Sequence, residues 1–129
     1  GDAAAQFYLG VCYYGKGVAV NFEEAIRQYR LSAAQGNAWA QFVLSACYDS
    51  GKGGWGVKVN LREAARLYGL SAAQGDADAG HNLACCYEYG RGVKVNLREA
   101  ARLYGLSADR GNAVSQFNLG LCFQVGRGV

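Results

Sequence analysis

The 129-residue sequence contains no methionine and no proline, one histidine, and only 18% charged residues. Without a methionine it is not a primary translation product, and it reads as a fragment or processed piece of a longer chain. No uninterrupted apolar run approaches the roughly 20 residues a bilayer span requires. The N-terminus also lacks the basic start and apolar stretch of a signal peptide. Membrane insertion is therefore not expected. Thirteen basic residues against ten acidic ones leave a formal net charge of +3, too small and too scattered to point to nucleic acid. The 19 glycines without proline would suit a flexible low-complexity chain, but 51% hydrophobic content suits a packed one. Their spacing decides between these readings.

The segments GDAAAQFYLGVCY at 1–13, GNAWAQFVLSACY at 36–48, GDADAGHNLACCY at 75–87 and GNAVSQFNLGLCF at 111–123 are four copies of one unit. Their spacing is about 36 residues, with small insertions in the loop after the first helix. A second block follows the first three copies at 20–36, 59–75 and 95–111. In the first block Ala5, Leu9, Cys12 and Tyr13, like Ala40, Leu44, Cys47 and Tyr48, fall on one face of a 3.6-residue helix, expected to be buried. In the second, Phe22, Ala25, Ile26, Tyr29 and Ala33 form an apolar stripe opposite Glu23, Glu24, Arg27 and Gln28. Asn21, Asn60 and Asn96, each followed three residues later by Glu24, Glu63 or Glu99, predict capping boxes. Gly36, Gly75 and Gly111 predict left-handed helix ends, and Gly15, Gly17, Gly90 and Gly92 tight reversals between helices. The expected fold is all-α, a right-handed solenoid of antiparallel helix pairs, about three and a half repeats in one array. Its units are 1–35, 36–74, 75–110 and a partial 111–129.

The ladder G-D/N-A-x-A-Q-aromatic-x-L-G-x-x-Y, then G-x-G-V, then N-x-x-E-A-x-x-x-Y-x-x-S-A-A-x-x-G resembles the Sel-1-like repeat family, relatives of the tetratricopeptide repeat. The resemblance spans essentially the whole chain. Ser45 and Ala84 replace the glycine seen at Gly10 and Gly120, His81 replaces the aromatic of Phe7, Phe42 and Phe117, and Gly80 replaces Gln6. The resemblance implies a scaffold or adaptor that binds other proteins, without fixing a partner. It also implies that the cysteine-rich bacterial branch, which pairs a cysteine in each helix of a repeat, is disfavoured, because the second helices here carry none. That favours a reducing compartment, such as the cytoplasm, with unpaired thiols.

A second helical stripe, beside the buried one, is left for the inner surface: Ala4, Tyr8 and Val11; Trp39, Val43 and Ala46; Asp78, Asn82 and Cys85; Val114, Asn118 and Leu121. The frame barely varies between copies while these positions do, as suits a common frame presenting different side chains to a partner; exposed positions that accept anything would vary too. Trp39 is the sharpest candidate, a large rigid anchor for a peptide or else a boundary residue packed on its neighbouring repeat. Trp55, flanked by glycines in the extended loop, marks a further contact or covers the loop.

Catalytic and cofactor chemistry finds little support. No Ser-x-x-Lys begins at Ser32, Ser45, Ser71, Ser107 or Ser115, and the GKGGWG segment lacks the Gly-Lys-Ser/Thr ending of a phosphate loop. Cys12, Cys47, Cys86 and Cys122 recur at one helix position and belong to the frame. Asp78, His81 and Cys85 at i, i+3 and i+7 could converge on a metal or make a thiol–imidazole pair. One histidine is a weak signal, and His81 in an aromatic slot with Cys85 as a small apolar filler is the favoured reading. Arg62, Arg66, Arg98 and Arg102 read as a solvated outer face beside Glu63 and Glu99. The expected protein is a non-catalytic interaction module with no cofactor or metal, binding a protein or peptide in the groove of first helices. The alternative is a structural spacer of a longer array, and uncapped repeat ends leave self-association open.

Overall fold

The computed structural model describes residues 3, 4, 6, 7, 9, 10, 21–50 and 57–129. Tyr8, Val11, Cys12, Tyr13 and the Trp55 loop lie outside them. The described residues are helical at 3, 4, 6, 7, 9 and 10 and then form α1 (Phe22–Ala34), α2 (Ala38–Ser50), α3 (Leu61–Ala73), α4 (Ala77–Tyr89), α5 (Leu97–Asp109) and α6 (Ala113–Val125). No strand occurs among them. Each helix packs on those adjacent in sequence, so α2 with α3 and α4 with α5 form helix pairs, and α3 with α4 and α5 with α6 join successive repeats. The result is the expected right-handed α-solenoid of antiparallel pairs.

Its second-type helices α1, α3 and α5 start where the asparagines place them. Asn21, Asn60 and Asn96 are extended, and their side chains accept the amides of Glu24, Glu63 and Glu99 at 3.0, 3.1 and 3.0 Å. The reciprocal half of the expected capping box is replaced by another bond. The Asn60 and Asn96 amides are already taken by the Tyr48 and Tyr87 carbonyls of the preceding helix, both at 2.9 Å. The glutamates turn outward instead and hold Arg27, Arg66 and Arg102 one turn on. That pairing accounts for the exposed arginine face at these positions. Helix ends follow the glycines, with Gly36, Gly75 and Gly111 at φ +94°, +100° and +94°.

The core is repeated rather than central. Ala25, Ile26, Tyr29 and Ala33 of α1 are buried with Ala40, Leu44 and Cys47 of α2, and equivalent clusters join α3 with α4 and α5 with α6. Tyr68 and Tyr104 are the largest fully buried side chains. Two expectations about faces fail. Leu9 is exposed, whereas its counterpart Leu44 is buried between α1 and α3, and Gln28, placed on the polar side, is buried. Gln28 tolerates burial because its amide donates to Glu24 Oε1 at 2.9 Å.

Serines tie each pair together. Ser32, Ser71 and Ser107 donate to the carbonyls of Ala3, Ala38 and Ala77 at 2.5, 2.9 and 2.5 Å, always from the second helix to the first turn of the first. All three serines are buried, and burial makes these bonds costly to lose.

Candidate functional site

The variable stripe is carried by the first-type helices: the N-terminal helical segment, α2, α4 and α6. Its outward members are Ala4, Trp39, Asp78, Val114 and Leu121, which are exposed, while Val43, Ala46, Asn82, Cys85 and Asn118 are half-buried. Trp39, 55% exposed, is the largest apolar side chain on it. Its ring lies 5.9 Å from Phe7, which in turn lies 5.7 Å from Tyr29. The indole thus lies against the Phe7 ring, which itself packs near Tyr29, while much of its surface stays open. Trp39 therefore contacts the neighbouring repeat through Phe7 and is also exposed. Val43 packs against the first core cluster, which makes it a wall of the stripe more than a contact point.

On α4 the stripe is polar and internally bonded. The Asp78 carboxylate accepts from Asn112 Nδ2 at 2.8 Å, and Asn112 in turn caps α6 through the Ser115 amide at 2.8 Å. His81 lies in the aromatic slot, its ring 5.8 Å from Tyr104, with Nε2 3.7 Å from Cys85 Sγ and Nδ1 3.2 Å from Asn82 Oδ1. Asp78 therefore faces the next repeat while His81 and Cys85 face Tyr104. The three do not converge, and no group of three or more potential ligands gathers on a metal site among the described residues. Tyr104 donates to Glu88 Oε1 at 2.7 Å, and Cys85 Sγ lies 3.3 Å from the same hydroxyl. Burial raises the Cys85 thiol, opposed in part by the Tyr104 bond, which is the reverse of what an attacking thiolate needs. Burial likewise pushes Cys47 and Cys86 up to about 11. Cys122 is raised as well, and all four described cysteines are free thiols.

The sequence reading missed a repeated clasp at the end of the first helices. Tyr68 of α3 donates to Asp49 Oδ2 at 3.3 Å, and Arg91, from the loop one repeat later, reaches Asp49 Oδ1 at 2.6 Å. One unit on, Tyr104 and Arg127 meet at Glu88 in the same way, with Arg127 Nε 3.5 Å from Glu88 Oε2. A carboxylate thus joins the second helix of its own repeat to the loop of the following one. Its signal was present in the alignment of Asp49 with Glu88 and of Arg91 with Arg127, both falling just beyond the segment matched as the repeat.

Clefts open on the other side, between successive second helices. One of about 430 Å³ lies between α1 and α3, lined among others by Ala33, Leu44, Leu67, Leu70 and Arg66. Its neighbour, of about 270 Å³, lies between α3 and α5. In the first, Gln41 donates to the Ala33 carbonyl at 3.3 Å and accepts from Gln74 at 2.8 Å; in the second, Gly80 and Arg110 stand at those two positions.

A stack of amphipathic helix pairs with a constant frame and a variable exposed stripe defines a helical-repeat protein, an architecture whose extended surface is suited to holding other chains. The model of the Sel1 repeat matches residues 3–37, 40–76, 77–112 and 113–129, and the chain belongs to the Sel1 repeat family. Among solved structures it is similar to a Sel1 repeat protein from Oxalobacter formigenes, with TM-score 0.88 and 33% identity over 98% of this chain and 51% of that one. It is also similar to a protective antigen of uropathogenic Escherichia coli with the same repeat fold, at TM-score 0.92 and 32% identity, covering all of this chain and 27% of the antigen. Cysteine rich protein B of Helicobacter pylori shares the fold, with TM-score 0.76 at 19% identity over 91% of this chain and 89% of that one. A curated relative, the DAP3-binding cell death enhancer 1 of Rattus norvegicus, is 44% identical over 50 residues, 38% of this chain and 10% of the rat protein. The chain thus spans about half or less of the Oxalobacter, Escherichia and rat proteins. Sel1 repeat proteins are generally protein-interaction scaffolds, and the fold is typically non-enzymatic. No helix among the described residues is long and apolar enough to cross a membrane.

Proposed function

We propose that this chain, a single array of repeats, is a non-catalytic scaffold that holds a peptide or protein segment along the groove of its first helices. The contact face would comprise Ala4, Trp39, Val43, Ala46, Asp78, His81, Asn82, Cys85, Val114, Asn118 and Leu121, with Tyr8, Val11 and the Trp55 loop as extensions. The observation that carries the reading is Trp39, an indole 55% exposed yet supported by Phe7. A rigid aromatic of this kind loses little conformational entropy on contact and supplies a large apolar area. The raised thiols and the Asp78 carboxylate held by Asn112 support the non-catalytic part of the proposal, since no activated nucleophile or ligand set among the described residues faces the stripe. The rat relative carries binding in its name, which accords with an interaction role. Alanine at Trp39, Asn82 and Asn118 together is expected to weaken a verified partner at least about tenfold with helicity intact, the scale of one interface hot spot. Unchanged affinity in a folded variant would contradict the proposal.

A second reading, a spacer that holds flanking repeats in register, is favoured by the clasps at Asp49 and Glu88, which spend polar groups on joining repeats. Under that reading the same triple variant changes no partner.

A further inference from the structure

The cleft between α3 and α5 differs from its counterpart between α1 and α3 at three polar positions. Around the earlier cleft stand Asn37, Gln41 and Gln74, all neutral, and Gln74 donates to Gln41 Oε1 at 2.8 Å. Gln35 and Gln6 make the same bond one repeat before. In the later cleft the corresponding residues are Asp76, Gly80 and Arg110, and all three line it. Gly80 puts no side chain where Gln41 stands, and a Cβ there would make only ordinary contacts, with Ser107 Cβ at 3.5 Å and Ala72 Cβ at 4.0 Å. Ser107 consequently lines this cleft, whereas its equivalent Ser71 does not line the earlier one.

The opened cleft carries one available charge of each sign. Asp76 caps α4 through Oδ1, which accepts the Ala79 amide at 3.0 Å, and its other oxygen makes no hydrogen bond among the described residues. The Arg110 guanidinium lies beside Gly75, where a Cβ would stand 3.8 Å from its Nε, and it makes no ion pair among the described residues. Arg102, also at the rim, is already held by Glu99. A backbone acceptor lies alongside. The Ala33 and Ala108 carbonyls accept from the Gln41 and Gln116 side chains at 3.3 and 3.1 Å, and the equivalent Ala72 carbonyl receives no such bond because residue 80 is glycine. Ala73, Leu83 and Leu106 supply an apolar wall.

We infer that this cleft binds a free α-amino acid with an aliphatic side chain of about the size of leucine. The ligand carboxylate pairs with Arg110, its ammonium donates to Asp76 Oδ2 and the Ala72 carbonyl, and its side chain rests on Ala73, Leu83 and Leu106. A guanidinium and a carboxylate in one small cleft complement a zwitterion, whereas either alone would suit a simple ion. The volume of about 270 Å³ falls just below the range of about 300–1,000 Å³ for drug-sized ligands, which suits a molecule this small. The site uses none of the residues of the first-helix stripe, so either proposal can fail without the other.

The test titrates L-leucine into the 129-residue chain and follows backbone amide NMR shifts around Gly80. Saturable one-to-one binding with a Kd of about 1 mM or tighter is expected. Gly80→Gln, which restores the side chain of the earlier repeats, Arg110→Gln and Asp76→Asn should each weaken it at least about tenfold. Asparagine keeps a capping residue at 76, and glutamine at 80 replaces a helix-interior glycine, so circular dichroism should show helicity kept in each variant. Leucinamide, without the carboxylate, and 4-methylpentanoate, without the ammonium, should each bind at least about tenfold more weakly than leucine. Absence of saturable leucine binding, or binding indifferent to Gly80→Gln and Arg110→Gln in folded variants, overturns the inference. So does 4-methylpentanoate binding as tightly as leucine, since the occupant is then a simple carboxylate.

Discussion

Gly92 sits at φ +76° with its α-carbon against the Leu61 carbonyl, and a Cβ there would lie far inside contact distance of that backbone. Neither the dihedral nor the neighbour can give. Gly92→Ala is expected to destabilise by about 2–4 kcal/mol, from strain and from separating two repeats. Gly120→Ala, in a helix with nothing nearby, is expected to stabilise by about 0.5–1 kcal/mol. Urea unfolding followed by circular dichroism measures both. The glycines were legible in the sequence as punctuation, but Gly92 is fixed by a contact with the preceding repeat, which no local pattern reports. The buried thiols give a second residue-scale outcome. Burial raises Cys47 and Cys86 from 9.0 to about 11, so the folded state retains protons that the unfolded chain releases in between. Their contribution to stability is intact below about pH 9 and is lost as pH rises toward 11. Tyr68 and Tyr104, also raised chiefly by burial, act in the same direction. Unfolding free energy should fall across that window, and less steeply in a Cys47→Ala, Cys86→Ala variant.

Among the elements, α3 and α5 show how a motif can be read correctly in position and incorrectly in mechanism. Asn60 and Asn96 cap their helices as the sequence indicates, while Glu63 and Glu99 leave the cap because the preceding helix already occupies the asparagine amides. Only the three-dimensional return of the chain puts the Tyr48 and Tyr87 carbonyls there. The consequence is unequal. Asn60→Ala should cost about 1 kcal/mol, as for other lost caps. Glu63→Gln should cost less than about 0.5 kcal/mol, since it loses only a solvent-exposed pair with Arg66. Comparable losses from the two substitutions in thermal unfolding would restore the reciprocal box. Helix existence, order and partners were legible because each pair's apolar stripe recurs in three or four copies. The misplaced Leu9 and Gln28 show the limit, since a stripe gives a face but not what covers it.

At the scale of the whole molecule, the contacts that hold the stack and the proposed recognition stripe lie largely on different faces of the same helices. Serine bonds within repeats and the Asp49 and Glu88 clasps between them fix the stack, leaving the Trp39 stripe free to vary. The stripe was legible as a set of variable positions. What was not legible is that Asp78 is bonded to Asn112 of the next repeat while His81 and Cys85 turn toward each other and toward Tyr104 in the second helix of their own repeat, because Asn112 and Tyr104 lie roughly 20–35 residues away. The exposed members Trp39, Val114 and Leu121 therefore carry more of the expected affinity than the polar ones. The measurement that tests this most directly compares the proteins captured by three forms of the chain of equal helicity. These are the wild type, a Trp39→Ala, Leu121→Ala variant of the first-helix face, and an Arg62→Ala, Arg98→Ala variant of the opposite face. The account predicts a specific partner held by the wild type and the arginine variant and lost from the tryptophan variant. A partner retained by the tryptophan variant, or lost only with the arginines, would contradict it.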